Sequence, residues 1–257
     1  MANSGPIGIE RYEETFAALT IGTGLVGLDG GTNSTNTSYG LSWVQSLDTA
    51  DTSFTRTYSA ALGCHAAGSL AATDNNMVEF NSANTMFYGQ QGFTAVEVLF
   101  RVDASSAVAF NFGFSDDVTE TSATLPVELS TTTWYSSASA FLGFVYDADA
   151  TNDELHCFWT DDDVDTTVAL GDLRCKGMAL TADKWLWMRV EMQDQGSGKP
   201  VRATFHAAHD GKTITKEFTT TVDRDVALCW YLGVENRDAL ARGVFIKRPA
   251  WEQSIAD

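Results

Sequence analysis

VEVLFRVDASSAVAFNFGF, residues 96–114, sets two apolar-rich runs on either side of the short polar stretch DASSA. Placing Val102 opposite Val108 brings Phe100 to Phe110, Val98 to Phe112 and Val96 to Phe114. One face is then wholly apolar, while Glu97, Arg101 and Asn111 fall on the other. A period of two with one apolar face is the pattern of a β-strand lying on a core. The pairing predicts a hairpin.

The same texture continues downstream. WLWMRVEM (185–192) and VRATFHA (201–207) are joined by QDQGSGKP. Pairing Met192 with Val201, Val190 with Ala203 and Met188 with Phe205 sets Glu191 opposite Arg202, a favourable cross-strand charge pair. HDGK (209–212) supplies an Asp-Gly turn. ALCWYLGVEN (227–236) and GVFIKRPAWE (243–252) read as two more strands, with Pro249 at a strand end or on an edge. Long amphipathic helices, a βαβ rhythm and internal repeats are all missing after residue 90. The expected fold is therefore all-β, an antiparallel jelly-roll sandwich.

Upstream the composition changes. The first 90 residues are rich in Gly, Ser, Thr, Asn and Ala, which suits irregular segments with short strands. Ile9, Tyr12, Phe16 and Leu19 recur at helical spacing and predict one or two helical turns. The division expected is an N-terminal arm over 1–60 and a sandwich over 61–257, its core pattern beginning near 93.

FLGFVYDADATNDELHCFWTDDDVD (141–165) concentrates acidic residues and raises the question of a metal or catalytic site. Pairing Tyr146 with Leu155, Phe144 with Cys157 and Leu142 with Trp159 gives one apolar face. Val145 opposite His156 and Gly143 opposite Phe158 make the other face mostly apolar too, so the hairpin belongs in the middle of a sheet. Asp147, Asp149, Asp153 and Glu154 then gather at one end, and Asp161, Asp162, Asp163 and Asp165 at the other. About six residues, roughly 20 Å of strand, separate them. The first cluster fails the EF-hand pattern, with Asn152 at the sixth position and Phe158 at the twelfth. Asp161, Asp163 and Asp165 are calcium candidates if the strand continues, because alternate residues share a face. The alternative is a pair of solvated hairpin ends.

Other chemistry finds little support. Cys64, Cys157, Cys175 and Cys229 form no CxxC pair and read as reduced, mostly buried thiols. A zinc site from Cys64-His65 and His156-Cys157 is limited by strand geometry, since adjacent residues point to opposite faces. GTGLVG (22–27) has dinucleotide-binding spacing but no helix or βαβ unit after it. His206 and His209 run from a strand into a turn, and His156 reads as a packed histidine. No Gly-x-Ser-x-Gly elbow and no Glu-x-Asp-x-x-Glu glucanase signature is present. Catalytic and cofactor-binding residues are accordingly not expected.

The formal charge is −18, and residues 1–173 hold 23 acidic against 3 basic side chains. That balance disfavours nucleic acid and would complement a basic partner. No stretch approaches the roughly 20 apolar residues of a membrane span, and the N-terminus lacks the pattern of a signal peptide. Among the aromatics, Trp134, Tyr135, Trp185 and Trp187 are candidates for sugar stacking. Trp185 and Trp187 stand out, because Leu186, Met188, Val190 and Met192 already supply that strand's core face.

From about residue 93, the order of FTAVEVLFRVDASSAVAFNFGFSDD, FLGFVYDADATNDELHCFW, the Trp-containing strand with its Asp-Gly-Lys turn, and LCWYLGVENRDALARGVFIKRPAW resembles a known group. It is similar to the laminin-G-like, concanavalin-type jelly rolls of tailed-bacteriophage structural proteins. The resemblance implies a non-enzymatic virion protein, a capsid decoration or cement protein on the outer head surface, made in the host cytoplasm. It implies the major capsid protein and neighbouring copies as partners, with a trimer favoured by symmetry matching. The alternatives are a carbohydrate-binding module on a fibre or other appendage, and a jelly-roll polysaccharide-degrading enzyme.

Overall fold

The computed structural model describes residues 3–4, 8–16, 34–38, 41–47, 52–117, 124–130, 133–162, 164–165 and 173–254. β1 (Asn3–Ser4), β2 (Ile9–Glu13), β3 (Ser34–Ser38), β4 (Leu41–Leu47), β5 (Thr52–Ser59) and β6 (Gly63–Leu70) lead to the long β7 (Met77–Phe87). β8 (Phe93–Val102), β9 (Val108–Ser115), β10 (Val127–Ser130), β11 (Thr133–Ser136), β12 (Phe141–Asp147) and β13 (His156–Asp161) follow. β14 (Val164–Asp165), β15 (Leu186–Gln193), β16 (Arg202–His209), β17 (Lys212–Thr219), β18 (Leu228–Asn236) and β19 (Arg242–Ser254) complete the strands.

Apart from the β10–β11 pair, these strands form two antiparallel sheets packed face to face, the expected jelly-roll sandwich. Sheet I runs β1-β2-β19-β8-β15-β16-β17, with β6 also on β19 and β5 on β6. Sheet II runs β14-β13-β12-β9-β18-β7-β4-β3. Between them lies one apolar core, rich in aromatic rings from both sides. Phe144 of sheet II meets Phe205 of sheet I edge-on at 5.4 Å.

The deciding stretch folds differently from its predicted hairpin. β8 pairs with β15 and β19 in sheet I, while β9 pairs with β12 and β18 in sheet II. Phe100 and Phe110 do meet, at 4.7 Å between ring centroids, but across the core. A 3-10 turn at Ser105–Ala107 carries the chain between sheets, and the Tyr146 hydroxyl donates to the Ser105 carbonyl at 2.9 Å. Two apolar faces can be buried against each other in either arrangement; the partners available on both edges of each strand decide which.

A second correction concerns β15 and β16. Met192 faces Ala203, Val190 faces Phe205 and Met188 faces Ala207, two residues from the expected register. Glu191 therefore opposes Thr204, and Arg202 pairs with Glu217 instead. Val201 is drawn out of the hairpin by Val222, whose carbonyl accepts its amide at 2.9 Å. A slip of two keeps every side chain on its face.

The β12–β13 ladder matches its sequence reading: Phe144 opposes Cys157, Leu142 opposes Trp159, Gly143 opposes Phe158 and Val145 opposes His156. The Asp-Gly turn also forms, with Asp210 and Gly211 both at positive φ (45° and 79°) between β16 and β17. Pro249 does not end its strand: β19 continues past it through a bulge between Lys247 and Ala250, where proline's missing donor is tolerated. In place of the predicted helical turn, Ile9–Glu13 form β2, which extends sheet I along β19, and the chain bends at Phe16; Leu19 and the GTGLVG segment lie outside the described residues. Of the segment expected as an arm, β3, β4 and β5 pair within the two sheets.

The β10–β11 hairpin covers the outer side of sheet II. Val127 and Trp134 pack there with Phe141, Val145, Phe158 and Tyr231 in a second apolar cluster. This outer layer explains why β12 and β13 are apolar on both faces.

Cys157, Cys175 and Cys229 are buried, and Cys64 is half-buried. The Cys157 and Cys175 sulfurs lie 3.6 Å apart as a thiol hydrogen bond. Burial pushes the Cys157 thiol up, and the Cys229 thiol up to about 12. Because the thiolate is the reactive form, a thiol-titrating disulfide reagent should modify one cysteine in the native protein and four in denaturant. Rapid modification of three or more in the native state would contradict this packing.

Candidate ligand-binding face

β15 alternates buried and half-buried residues along its length, so Leu186, Met188, Val190 and Met192 enter the core. Trp185 and Trp187 point to the opposite, outer side of sheet I, both half-buried. Register fixes their surroundings. Lys247, Leu99, Trp187, Ala208 and Thr213 form one row across β19, β8, β15, β16 and β17. Leu99 and Ala208 flank Trp187 in that row, both half-buried on the same outer face. His206 stands on the next row, its ring centroid 6.5 Å from Trp187 and its Nδ1 3.0 Å from the Thr215 hydroxyl.

Trp185 is fixed by its backbone. The Thr181 amide donates to His209 Nε2 at 2.9 Å, so Nδ1 carries the proton and donates to the Trp185 carbonyl at 3.0 Å. His206 and His209 thus face opposite sides of β16 and do not act together. The Lys247 ammonium lies 4.7 Å from the Trp185 ring centroid, a cation–π contact. Beyond it, the Arg101 guanidinium lies 4.9 Å from the Phe245 ring and pairs with Asp183. Burial and the nearby Arg101 charge pull Lys247 below the ordinary lysine range.

Below this aromatic region the same face is crossed by alternating charges. Arg189 reaches Glu97 at 3.1 Å, Glu191 at 2.6 Å and Glu252 at 2.6 Å. Arg11 reaches Glu97 at 2.7 Å and also pairs with Glu252. These groups satisfy one another and leave the aromatic half as the part of the face with unengaged chemistry. Lys247 was legible in GVFIKRPAWE, where Val244 and Ile246 take the core positions, but its neighbours come from other strands and were not.

The acidic clusters resolve into hairpin ends. Asp147 is almost fully buried, accepts the Asp149 amide at 2.9 Å and pairs with Arg237 at 2.7 Å. Glu154 pairs with Arg174 at 3.0 Å. Asp161 accepts the Asp223 amide at 2.9 Å. The expected continuation of the strand fails: the chain reverses at Asp162 (φ 50°), and Asp165 on β14 opposes Thr160. Asp161 and Asp165 are thus on paired strands, not alternate positions of one; Asp163 lies outside the described residues. Among the described residues, no three His, Cys, Asp or Glu side chains are placed to hold a metal ion. Cys64-His65 belongs to sheet I and His156-Cys157 to sheet II, so the zinc arrangement is not assembled. His156 packs against Trp134 at 5.4 Å, and burial lowers its pKa, as expected of a packed histidine.

No family model matches the sequence, and no curated protein matches it. Solved structures do match in fold. A protein of unknown function from Shewanella oneidensis MR-1 shares 11% identity at a TM-score of 0.54, over 99% of this chain and 90% of that one. The VIP36 exoplasmic/lumenal domain in its Ca2+/Man3GlcNAc-bound form shares 10% identity at 0.52, over 87% and 88%. The Emp47p carbohydrate recognition domain shares 11% at 0.51, over 83% and 89%. The chain therefore has the fold of the lectin-type, concanavalin-like β-sandwiches.

Proposed function

We propose that the chain is a non-catalytic carbohydrate-binding module, and that the outer face of sheet I around Trp187 and Trp185 is its platform. The observation that carries this reading is the pair of half-exposed indoles on the outer side of sheet I, Trp187 on β15 and Trp185 just before it. Flat apolar rings of this kind stack on the C–H faces of sugar rings, while neighbouring His206, Thr215 and Thr213 offer polar groups to hydroxyls. The lectin-type sandwich is compatible with it. Trp187→Ala is expected to weaken glycan binding about 30-fold, near 2 kcal/mol, the size of a buried-tryptophan contact. Binding measured on a glycan array and by titration checks this; unchanged affinity in the variant would move the site elsewhere, and turnover of a bound glycan would replace the module by an enzyme.

A second reading is supported by the order of segments shared with phage jelly rolls and by the acidic first 173 residues. In it the chain decorates the outer surface of a tailed-phage head, bound to the major capsid protein and to neighbouring copies as a trimer, with residues 1–60 helping to anchor it. Sedimentation with heads lacking the protein tests it: saturation at a large, symmetry-related copy number supports the role, and no association removes it.

A further inference from the structure

Lys247 lies in a different setting from the arginines of this face and its surroundings. Arg11, Arg101, Arg189, Arg237, Arg242 and Arg248 each engage a carboxylate, as do Arg174, Arg202 and Arg224. Lys184 lies near Asp210, and Lys212 donates to the Gly177 carbonyl at 2.8 Å. Lys247 is half-buried, and among the described residues no carboxylate pairs with it; its ammonium lies over the Trp185 ring, with the Cys64 thiol and the Arg101 charge nearby. That partner is missing among the described residues although the chain carries 34 acidic side chains. A partly desolvated ammonium without a counter-ion is unfavourable unless something anionic completes it.

Its position is also specific. The ammonium sits beside Trp185, and Lys247 is one row position from Leu99 and two from Trp187, so the cation and the two indoles lie together on one face. Arg101, one row away on β8, adds a second positive charge, partly offset by Asp183. The carboxylates of this face, Glu97, Glu191 and Glu252, are held by Arg11 and Arg189 on the lower rows. The aromatic half of the face is therefore locally cationic on a protein of net charge −18.

We infer that the platform takes a glycan bearing a carboxylate, a uronate or sialate, whose sugar ring stacks on Trp187 while its carboxylate pairs with Lys247. This deepens the carbohydrate reading and rests on it. The carboxylate gives Lys247 a charge-assisted hydrogen bond, and the apolar surroundings strengthen that bond relative to water. A neutral sugar would leave the ammonium uncompensated on binding.

The experiment is an array of uronate- and sialate-bearing oligosaccharides printed beside the same chains with every carboxyl methyl-esterified, followed by fluorescence titration of the best pair. The full chain is compared with Lys247→Met, which keeps the aliphatic contact with Trp185 and removes the charge. The expected result is acids bound at least tenfold tighter than their esters. Lys247→Met should lose that preference, with ester binding unchanged, which also shows the variant folded. Raising the salt from 50 to 500 mM (conditions chosen so that screening falls from about 14 to about 4 Å) should weaken acid binding alone. Equal binding of acid and ester, or a preference that survives Lys247→Met, overturns the inference and leaves the carbohydrate reading standing. Binding of neither class overturns both.

Discussion

Glu79→Gln should stabilise the protein at pH 9 by roughly 4 kcal/mol while leaving its stability at pH 4 nearly unchanged. Glu79 lies on β7 facing the outer side of sheet II, fully buried. One carboxyl oxygen accepts from Asn81, and the other, Oε2, has no hydrogen-bond partner. Burial pushes its pKa up from 4.5 to about 8, with the nearby Asp117 charge adding to the rise. Glu79, Gly233 and Asn111 share one row across β7, β18 and β9. A Cβ on Gly233 would stand 2.4 Å from the Tyr231 hydroxyl, so that hydroxyl lies over the row. The Tyr231 hydroxyl and Asn111 Nδ2 are likewise buried without partners.

A carboxyl raised in the folded state contributes its stability fully below its unfolded pKa, and that contribution fades as pH rises through the folded value. Between pH 4.5 and 8 the unfolded chain ionises Glu79 freely while the folded chain resists. Glutamine keeps the shape and an acceptor for Asn81 but cannot ionise. Denaturant unfolding of both proteins at pH 4, 6.5 and 9 gives the difference directly, so titration of other groups cancels. A constant difference across that range would show that Glu79 is not held protonated.

The second large effect lies at the end of β12. Arg237 bridges Asp147 and Glu235, whose rows on β12 and β18 are separated by Ala109 on β9. Both carboxylates are almost fully buried. Removing the shared cation strands two charges in an apolar setting, which costs about 3–5 kcal/mol. Arg237→Met is therefore expected to destabilise by that amount at pH 8.5. Burial already raises Glu235 to about 7, so at pH 5 Glu235 is neutral and the loss should be smaller. Denaturant melts at the two pH values test this; an equal loss at both would mean that packing of the arginine stem, not its charge, holds the region.

What the sequence reveals is the face a residue takes, more than the neighbour it meets. Val96 to Val102 and Phe110 to Phe114 were readable as core-facing, yet nothing in DASSA distinguishes a hairpin from a passage between sheets. The two-residue slip of β15 against β16 preserves the alternation, so every side chain keeps its face while the predicted cross-strand partners, Glu191–Arg202 among them, all change. At the N-terminus, Ile9, Tyr12 and Phe16 fit a helix locally. The edge of β19, more than 230 positions away, makes Ile9 and Tyr12 part of a strand, and the chain bends at Phe16. The β12–β13 register was legible because both faces and both loop ends constrained it together. Trp185 and Trp187 could be separated from the core by elimination along one strand. Lys247 beside them required knowing that β8 lies between β19 and β15. Glu79 gave no signal, because its burial depends on a covering layer contributed by other segments.

The place of β19 within sheet I sets an order of events during synthesis. Its residues bond to β8 on one side and to β6 and β2 on the other. Until residues 242–254 leave the ribosome, β2, β6 and β8, made much earlier, each keep one edge open where β19 will pair. Chains truncated before residue 242 should therefore be protease-sensitive and dependent on holding chaperones. Refolding from denaturant should run in the slow, milliseconds-to-seconds range of sandwiches built on distant pairings.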